Sequence, residues 1–302
     1  MNRRHKEFKL SNFLFVLFNT LFMIMIIIIM LYPFWNTVAV SFNDAMDSLR
    51  GGITLFPRKF STYSYEQVFA NELLPRAAIN SVVRTGIATI LGVCVAALIG
   101  FVLSREELVF RKFITMFFLF TMYISAGLIP TYFLMKDLHL LNNFWVYILP
   151  SLVSVFNVII IKSYMQSLPE SLVEAAKVDG AGYFRVFWQI IFPCCKPVLA
   201  TVALWCAVGA WNSWFDTFLY CSSDESLTTL QYEMMKLLAS AMNSGAKRDP
   251  SAMYNASSTI STVTPTSMRA AVTVVASVPI LVVYPFLQKY FVKGVTLGAV
   301  KG

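Results

Sequence analysis

Long uncharged apolar runs constrain this chain more than any other feature of its sequence. Residues 13–31 include no charged side chain and are mostly Phe, Leu, Ile and Met. At about 1.5 Å per residue, a run of this kind is long enough to cross the roughly 30 Å of hydrocarbon in a bilayer as a helix. Backbone polar groups find no water in lipid, so we read such runs as helices and not as strands.

The apolar pattern predicts an all-α polytopic membrane protein with six transmembrane helices. The expected spans are about 13–38, 79–103, 113–135, 144–161, 197–220 and 270–291. Composition agrees, because 57% of the 302 residues are hydrophobic and only 13% are charged, which leaves too little polar surface for a soluble domain. We treat residues 1–302 as a single transmembrane domain.

The distribution of Lys and Arg predicts the orientation. Basic residues concentrate in the head of the chain, in the second and fourth loops and in the tail, and short basic segments favour the cytoplasmic side. We therefore expect both termini in the cytoplasm. The net charge of +8 is explained by contact with anionic membrane lipid, so no nucleic acid partner is expected.

The sequence lacks the residues that several kinds of catalysis require. The sequence has no Gly-x4-Gly-Lys-[Ser/Thr] phosphate loop, so we do not expect this chain to hydrolyse ATP. Its two histidines, His5 and His139, are far apart in the chain, and the cysteines have no metal-ligand spacing. We predict no catalytic residues, no metal site and no cofactor on this chain.

A polar segment at 167–193, between the fourth and fifth predicted spans, has the local sequence signals of two short helices. Ser167 and Glu170 have the spacing of a capping box, and Pro169 suits a first helical turn. An apolar face is expected on the helix that follows, and Gly180 permits a sharp turn after it. The members of that face are Leu172, Val173, Ala175 and Ala176. A second short helix at about 183–191 would lead to Pro193 and the fifth span.

The same segment carries a specific motif. It reads Glu174-Ala175-Ala176, three residues, Gly180, nine residues, then Ile190-x-Phe192-Pro193. This resembles the cytoplasmic coupling loop of ABC importer permeases, where the last positions usually read Ile-x-Leu-Pro, and Phe192 is the one departure. The resemblance implies that the loop docks in a cleft of a separate ATPase, which binds ATP and Mg. The implied coupling residues are Glu170, Glu174, Ala175, Ala176, Asp179, Gly180, Ile190 and Pro193.

Other segments narrow the resemblance. The tail at 291–302, FVKGVTLGAVKG, is similar to the ending of carbohydrate-uptake permeases of the maltose type. GLIPTY at 127–132 and LPS at 149–151 resemble the subgroup that imports complex oligosaccharides in Gram-positive bacteria. The resemblance implies a multi-pass subunit of the bacterial cytoplasmic membrane. Its implied partners are a second homologous permease, an ATPase dimer, an extracellular sugar-binding protein or lipoprotein, and an oligosaccharide. The tail at 293–302 would reach toward the ATPase pair.

Two alternatives to this function are carried forward. One keeps the ABC class and changes the substrate to peptides or amino acids. The other is a membrane receptor or ion channel, which would need neither an ATPase nor Glu174.

The fifth predicted span contains a polar stripe. Trp205, Gly209, Asn212 and Asp216 are separated by four, three and four residues, which places them on one face of a helix. Trp211 and Trp214 lie beside them. A carboxylate inside a span is costly against lipid, so the stripe should face protein or a water-filled path. Two readings stay open: a path for neutral oligosaccharides, with tryptophans stacking on sugar rings, or a packing stripe with interfacial tryptophans.

The largest outside segment is predicted at 222–268. Residues 229–242 have the pattern of one amphipathic helix, and the residues after it are rich in Ser, Thr, Asn and Ala. In the family this side receives the substrate-binding protein. The alternative is a surface helix that packs on its own bundle.

Overall fold

The computed structural model describes residues 10–70, 72–246 and 264–299. Within these residues the regular structure is helical, apart from one antiparallel bridge between Asn43 and Phe60. The predicted all-α class is therefore confirmed.

The helices follow one another closely along the chain. In the first half they are α1 (Leu10–Ser41), α2 (Ala45–Ser48), α3 (Tyr63–Phe69), α4 (Leu74–Ser104), α5 (Arg111–Tyr123) and α6 (Leu128–Asp137). Two short 3-10 turns, Phe144–Tyr147 and Leu149–Ser151, precede α7 (Val155–Gln166). Then come α8 (Ser171–Val178), α9 (Tyr183–Val186), a π-helical turn at Phe187–Ile191, α10 (Phe192–Cys194), α11 (Lys196–Asn212) and α12 (Phe215–Tyr220). A 3-10 turn at Glu225–Leu227 leads to α13 (Leu230–Ala246), and the last described helix is α14 (Pro265–Ala299).

Among the described residues, three helices are long and apolar enough to cross a membrane. They cover Phe13–Ser41, Leu74–Ser104 and Pro265–Val282. The predicted spans at 13–38 and 79–103 lie within the first two, and the span at 270–291 lies on α14. Each of these three predicted segments therefore lies on one continuous helix, and the candidate span on α14 covers Pro265–Val282.

The other three expected spans are not continuous helices. The segment 113–135 is divided into α5 and α6, which are bent by 113° from each other. The segment 144–161 begins in 3-10 turns, bent by 49° from α7, and the segment 197–220 is broken after Asn212. A further bend of 81° separates Tyr183–Cys194 from α11. If each bent pair is one span, the total reaches up to six.

Backbone conformation explains these breaks. Ile124 is extended after α5, and Gly127 before α6 has a φ of +86°, which side chains with a Cβ rarely adopt. Ser154 caps α7 through its hydroxyl, which accepts from the N–H of Asn157 at 3.4 Å. Ser213 is extended, with ψ at 124°, and so ends α11. Hydropathy does not detect breaks of this kind, because none of these residues is charged.

The chain divides into two compact units. The first consists of Met1–Ala70 with Leu237–Val275. A polar cluster follows α1, where the buried Asn43 amide donates to Asp47 and to Ser48. Arg58 pairs with Asp47 at 2.9 Å, so the loop after α1 is held by its own side chains.

The second unit consists of Asn71–Lys236 with Ala276–Gly302 and contains the largest core. Helix α4 packs on α7 and on α11 along most of its length. The contact is close at Gly100, where an added Cβ would lie 3.2 Å from the backbone nitrogen of Lys162. The fully buried members of this core come from α4, α7, α8, the α9–α10 segment and α11, and include Ala97, Ile161, Val173, Phe187 and Val202.

Candidate functional site

A cavity of about 420 Å³ lies among α4, α7, α11 and α12 of the second unit. Its size falls in the range of about 300–1,000 Å³ that small-molecule sites occupy. Its polar lining residues are Arg84, Tyr147, Ser151, Ser154, Asn157, Ser213 and Asp216, and its apolar ones include Trp205 and Gly209. The cavity therefore combines the aromatic rings of Trp205 and Tyr147 with hydroxyl, amide and charged groups.

The charged residues of the cavity form one ion pair. Arg84 Nη2 donates to Asp216 Oδ2 at 2.7 Å, and Arg84 Nη1 donates to Asp216 Oδ1 at 3.3 Å. The guanidinium lies over the Tyr147 ring, 4.6 Å from its centroid. The Arg84 side chain is only 2% exposed and that of Asp216 is 22% exposed. Of the pair, the carboxylate is the group that an occupant of the cavity would meet.

The structure brings three of the six predicted path residues to this cavity. Trp205, Gly209 and Asp216 line it. Trp211 instead donates from its indole N–H to the carbonyl of Ala276 at 3.2 Å. The remaining two, Asn212 and Trp214, are not among its lining residues.

The prediction that these residues share one face of a single helix is wrong. Helix α11 ends at Asn212, and Asp216 stands in the first turn of the separate helix α12. Asn212 is exposed, and Trp214 packs edge to face on Phe215 with ring centroids 5.7 Å apart. Asp216 still reaches the cavity because the extended Ser213 turns the chain back toward α4.

Sequence reasoning missed Arg84. This arginine lies inside the predicted span 79–103, yet the polar stripe predicted from the sequence does not include it. A single charge within an apolar run is a signal in its own right, because ionisable groups in spans face protein or water and pair with one another. The Asp216 carboxylate in another span was the partner to look for.

The second candidate site is the coupling segment, which we define as residues 167–193. Its first helix, α8, begins at Ser171 with Glu170 as the N-cap residue. The expected capping box is wrong: Ser167 ends α7, and its hydroxyl donates to the carbonyl of Tyr164 at 2.7 Å. No side-chain hydrogen bond caps the start of α8. The chain leaves α7 and enters α8 within four residues, so Ser167 serves the earlier helix.

The end of α8 follows the prediction. Gly180 has a φ of +76°. The N–H of Ala181 donates to Ala176 O at 2.9 Å, and the N–H of Gly180 donates to Lys177 O at 3.0 Å. These two bonds form a Schellman motif, in which a left-handed residue, usually Gly, closes the helix. Asp179 is the C-cap residue between them.

Helix α8 has a narrower buried face than expected. Val173 and Ala176 are buried, whereas Leu172 and Ala175 are exposed together with Glu174. Val178 is 88% exposed although it is apolar. The helix is thus anchored by two side chains and leaves an outer face of mixed acidic and apolar character.

The second half of the coupling segment is anchored more deeply. Phe187 is buried, and its ring centroid lies 5.2 Å from that of Phe101 on α4. Phe192, at the position of the usual Leu, packs its ring 5.6 Å from Phe187. Ile190 and Pro193 are half-buried beside this cluster. The aromatic substitution therefore extends the core toward α4.

An exposed ion pair joins α8 to the loop after α4. Lys177 Nζ bonds to Glu107 Oε1, and the same ammonium lies 4.8 Å from the centre of the Tyr183 ring. The hydrogen bond from Lys177 lowers the pKa of Glu107, and the bond to Glu107 raises the pKa of Lys177. Both groups are partly exposed, so solvent screens this attraction.

On the other side of α4, buried polar contacts hold the segment that leads into α13. Asn80 donates to the carbonyls of Ser226 and Thr228 at 2.8 and 2.9 Å. Ser81 accepts from the N–H of Leu230 at 2.8 Å. The helix predicted at 229–242 is observed at Leu230–Ala246, and residues 247–263 of the expected loop lie outside the described residues.

The tail expected to reach an ATPase is described only in part. Residues 293–299 belong to α14 as far as its end at Ala299. Residues 300–302 lie outside the described residues.

These features define a helical membrane protein with a polar cavity among its helices and a short surface helix that shares their core. The chain belongs to the family described as binding-protein-dependent transport system inner membrane component, whose model matches residues 92–297. This match confirms the resemblance to ABC importer permeases.

Individual relatives agree with the carbohydrate-uptake resemblance. The chain is 34% identical to the polygalacturonan/rhamnogalacturonan transport system permease protein YtcP of Bacillus subtilis (strain 168), over 93% of this chain and 96% of that protein. It is 36% identical to protein LplC of the same organism, over 91% and 90% of the two chains. A solved bacterial ABC transporter involved in the import of the acidic polysaccharide alginate has a similar chain, with 25% identity and a TM-score of 0.77. That match covers 95% of this chain and all of the other.

Proposed function

We propose that this chain is the permease subunit of an ATP-driven importer that moves an oligosaccharide across the bacterial cytoplasmic membrane by alternating access. One observation supports this most strongly: α4 lines the cavity at Arg84 and Gly92 and packs on the coupling segment at Phe101. Movement of the coupling segment would therefore be transmitted along one rigid helix to the cavity. The proposed topology has six spans, three of them broken, with both termini inside.

The coupling segment is the proposed contact with the ATPase. Its exposed face offers Glu174, Ala175 and Val178, a carboxylate beside small and apolar groups. The buried side chains of Val173 and Phe187 attach the segment to the core. A push on α8 would then move α4 and α11 together, because all three share that core.

Its partners follow from the family. We propose a second homologous permease, two copies of an ATPase subunit that bind ATP and Mg, and an extracellular sugar-binding protein. The chain itself supplies conduction and coupling, with no bond made or broken on it.

The proposed substrate class rests on the cavity and on the relatives. The exposed ring of Trp205 offers a flat face on which the C–H groups of a sugar can stack, and the hydroxyls and amide of Ser151, Ser154 and Asn157 can bond sugar hydroxyls. The names of similar proteins refer to saccharides, which argues against peptides or amino acids. Family membership argues against a receptor or channel.

The coupling role is tested by Glu174→Ala in a host that lacks the native copy of this chain. We expect saccharide uptake to fall at least about tenfold while the amount of chain in the membrane stays unchanged. Glu66→Ala is the control, because Glu66 is an equally exposed glutamate outside the coupling segment and should leave uptake as it is. Normal uptake by the Glu174 variant would overturn the coupling assignment.

A further inference from the structure

The cavity exposes the carboxylate of its ion pair more than the guanidinium, and this affects which substrates it can accept. Of the described residues that line it, Arg84 and Asp216 carry the charges. The guanidinium is 2% exposed, and its Nε, which has no hydrogen-bond partner among the described residues, is buried as well. A substrate therefore meets the edge of a carboxylate and a set of neutral hydroxyl and amide groups.

We propose that the Arg84–Asp216 pair makes this path selective by charge, admitting neutral saccharides and disfavouring saccharides that carry carboxylates. This inference rests on the proposed function and deepens it. A neutral sugar hydroxyl can donate to the Asp216 carboxylate, whose side chain is 22% exposed, while Arg84 keeps its place. The pair then acts as a fixed acceptor for hydroxyl groups.

A uronate would encounter a different situation. Its carboxylate would face the exposed edge of the Asp216 carboxylate, and like charges placed side by side repel each other even though Arg84 offsets part of the Asp216 charge. To reach Arg84 it would have to displace Asp216, which would leave a second carboxylate unpaired in a partly buried site. Asp216 is also held in place by the backbone, since its Oδ1 accepts from the N–H of Thr217 at 2.9 Å as well as from Arg84.

This selectivity differs from what two similar proteins are named for, since polygalacturonan and alginate are polymers of uronic acids. Charge selectivity would therefore separate this chain from those relatives by a measurable property. It also assigns a role to Arg84, which lies outside the residues matched by the family model.

The test compares uptake of neutral and uronate-containing oligosaccharides in the chain's own host, with all partner subunits native. Because the binding protein is the same in every strain, a change in the uronate-to-neutral uptake ratio reports on this chain. We expect the wild type to take up neutral saccharides preferentially. The exchange Arg84→Asp with Asp216→Arg retains opposite charges but presents the cation to the cavity, and it should raise the ratio by about tenfold or more.

Two further variants keep the test decisive if the double variant does not assemble with its partner subunits. Asp216→Asn removes the exposed charge and should raise the ratio by a smaller factor. Ser151→Ala alters the lining without altering charge, so it should change the uptake of both saccharides alike. An unchanged ratio in assembled variants, or a wild type that prefers uronates, would overturn the selectivity while leaving the proposed function intact. Uptake of no saccharide at all would overturn the proposed function itself.

Discussion

The coupling segment and the cavity both contain an ion pair, but they are built in opposite ways. At the exposed surface, Lys177 of the coupling segment pairs with Glu107 of the loop after α4. The helix that carries Lys177 ends in backbone hydrogen bonds between residues 176 and 181, which are close together in the chain. In the cavity, Arg84 and Asp216 are 132 residues apart and largely buried. The surface segment is thus shaped locally and can present a face to a partner. The cavity exists only when distant helices have assembled, so its pair should matter far more for stability.

Breaking the buried pair should have the largest effect. Arg84→Met leaves Asp216 as an uncompensated carboxylate, and removing one partner of a buried ion pair typically costs about 3–5 kcal/mol. We expect a much lower unfolding temperature in detergent and a low yield of monodisperse protein. The double variant Arg84→Met with Asp216→Leu removes both charges and should recover most of the loss. An equally unstable double variant would show that packing, not charge, dominates at this site.

The helix that connects the two regions offers the next test. An added Cβ at Gly100 would lie 3.2–3.3 Å from Lys162, Ile161 and Val158 of α7, whereas one at Gly86 of the same helix would meet nothing within 4 Å. Gly100→Leu should therefore cost about 1–3 kcal/mol through overpacking, measured by thermal unfolding. Gly86→Leu is the matched control and should cost much less. Equal costs would contradict the close α4–α7 contact.

Within the coupling segment, the effect of backbone strain can be separated from the effect of side-chain volume. Gly180 has a φ of +76° and Gly182 does not have a positive φ, while a Cβ at either would meet nothing within 4 Å. Gly180→Ala should strain the end of α8 by roughly 1–2 kcal/mol and reduce uptake, with membrane insertion unchanged. Gly182→Ala should be nearly silent, and Gly180→Asn should restore part of the activity because Asn tolerates this conformation. Equal uptake in all three strains would refute a need for the left-handed turn.

The exposed pair should give the smallest effect and a defined pH dependence. Because the folded-state pKa of Glu107 is lowered, its contribution to stability is present above the unfolded carboxyl pKa of about 4.3 and is lost as pH falls through the folded value. The pKa of Lys177 is raised, so its contribution is lost only as pH rises through that raised value. Glu107→Gln should therefore lower stability slightly at neutral pH, and the difference should shrink as pH falls and vanish once pH is below the folded-state pKa of Glu107. A difference that did not shrink with falling pH would implicate packing of the side chain instead.

The local motif was predictable and the long-range site was only partly so. Gly180, the helix that precedes it and the second helix near 183–191 all follow from residues close together in the sequence. Helical spacing correctly placed Trp205 and Gly209 on one face of α11, whereas Asp216 reaches the same cavity from the separate helix α12. It could not show that Ser213 ends α11 or that Gly127 turns the chain, because extended and left-handed residues interrupt apolar runs without changing their hydropathy. Arg84 could be recognised as unusual by itself, but its pairing with Asp216 depends on how α4 and α12 pack.

Native mass spectrometry of the tagged chain, extracted gently from its host's membranes with bound lipid, tests the central claim most directly. We predict an assembly containing this chain, one homologous permease and two ATPase subunits. We expect the Glu174→Ala variant to lose the ATPase subunits more readily as collision energy rises. A wild-type chain found alone or only with copies of itself, reproducibly and in mild detergent, would contradict the account.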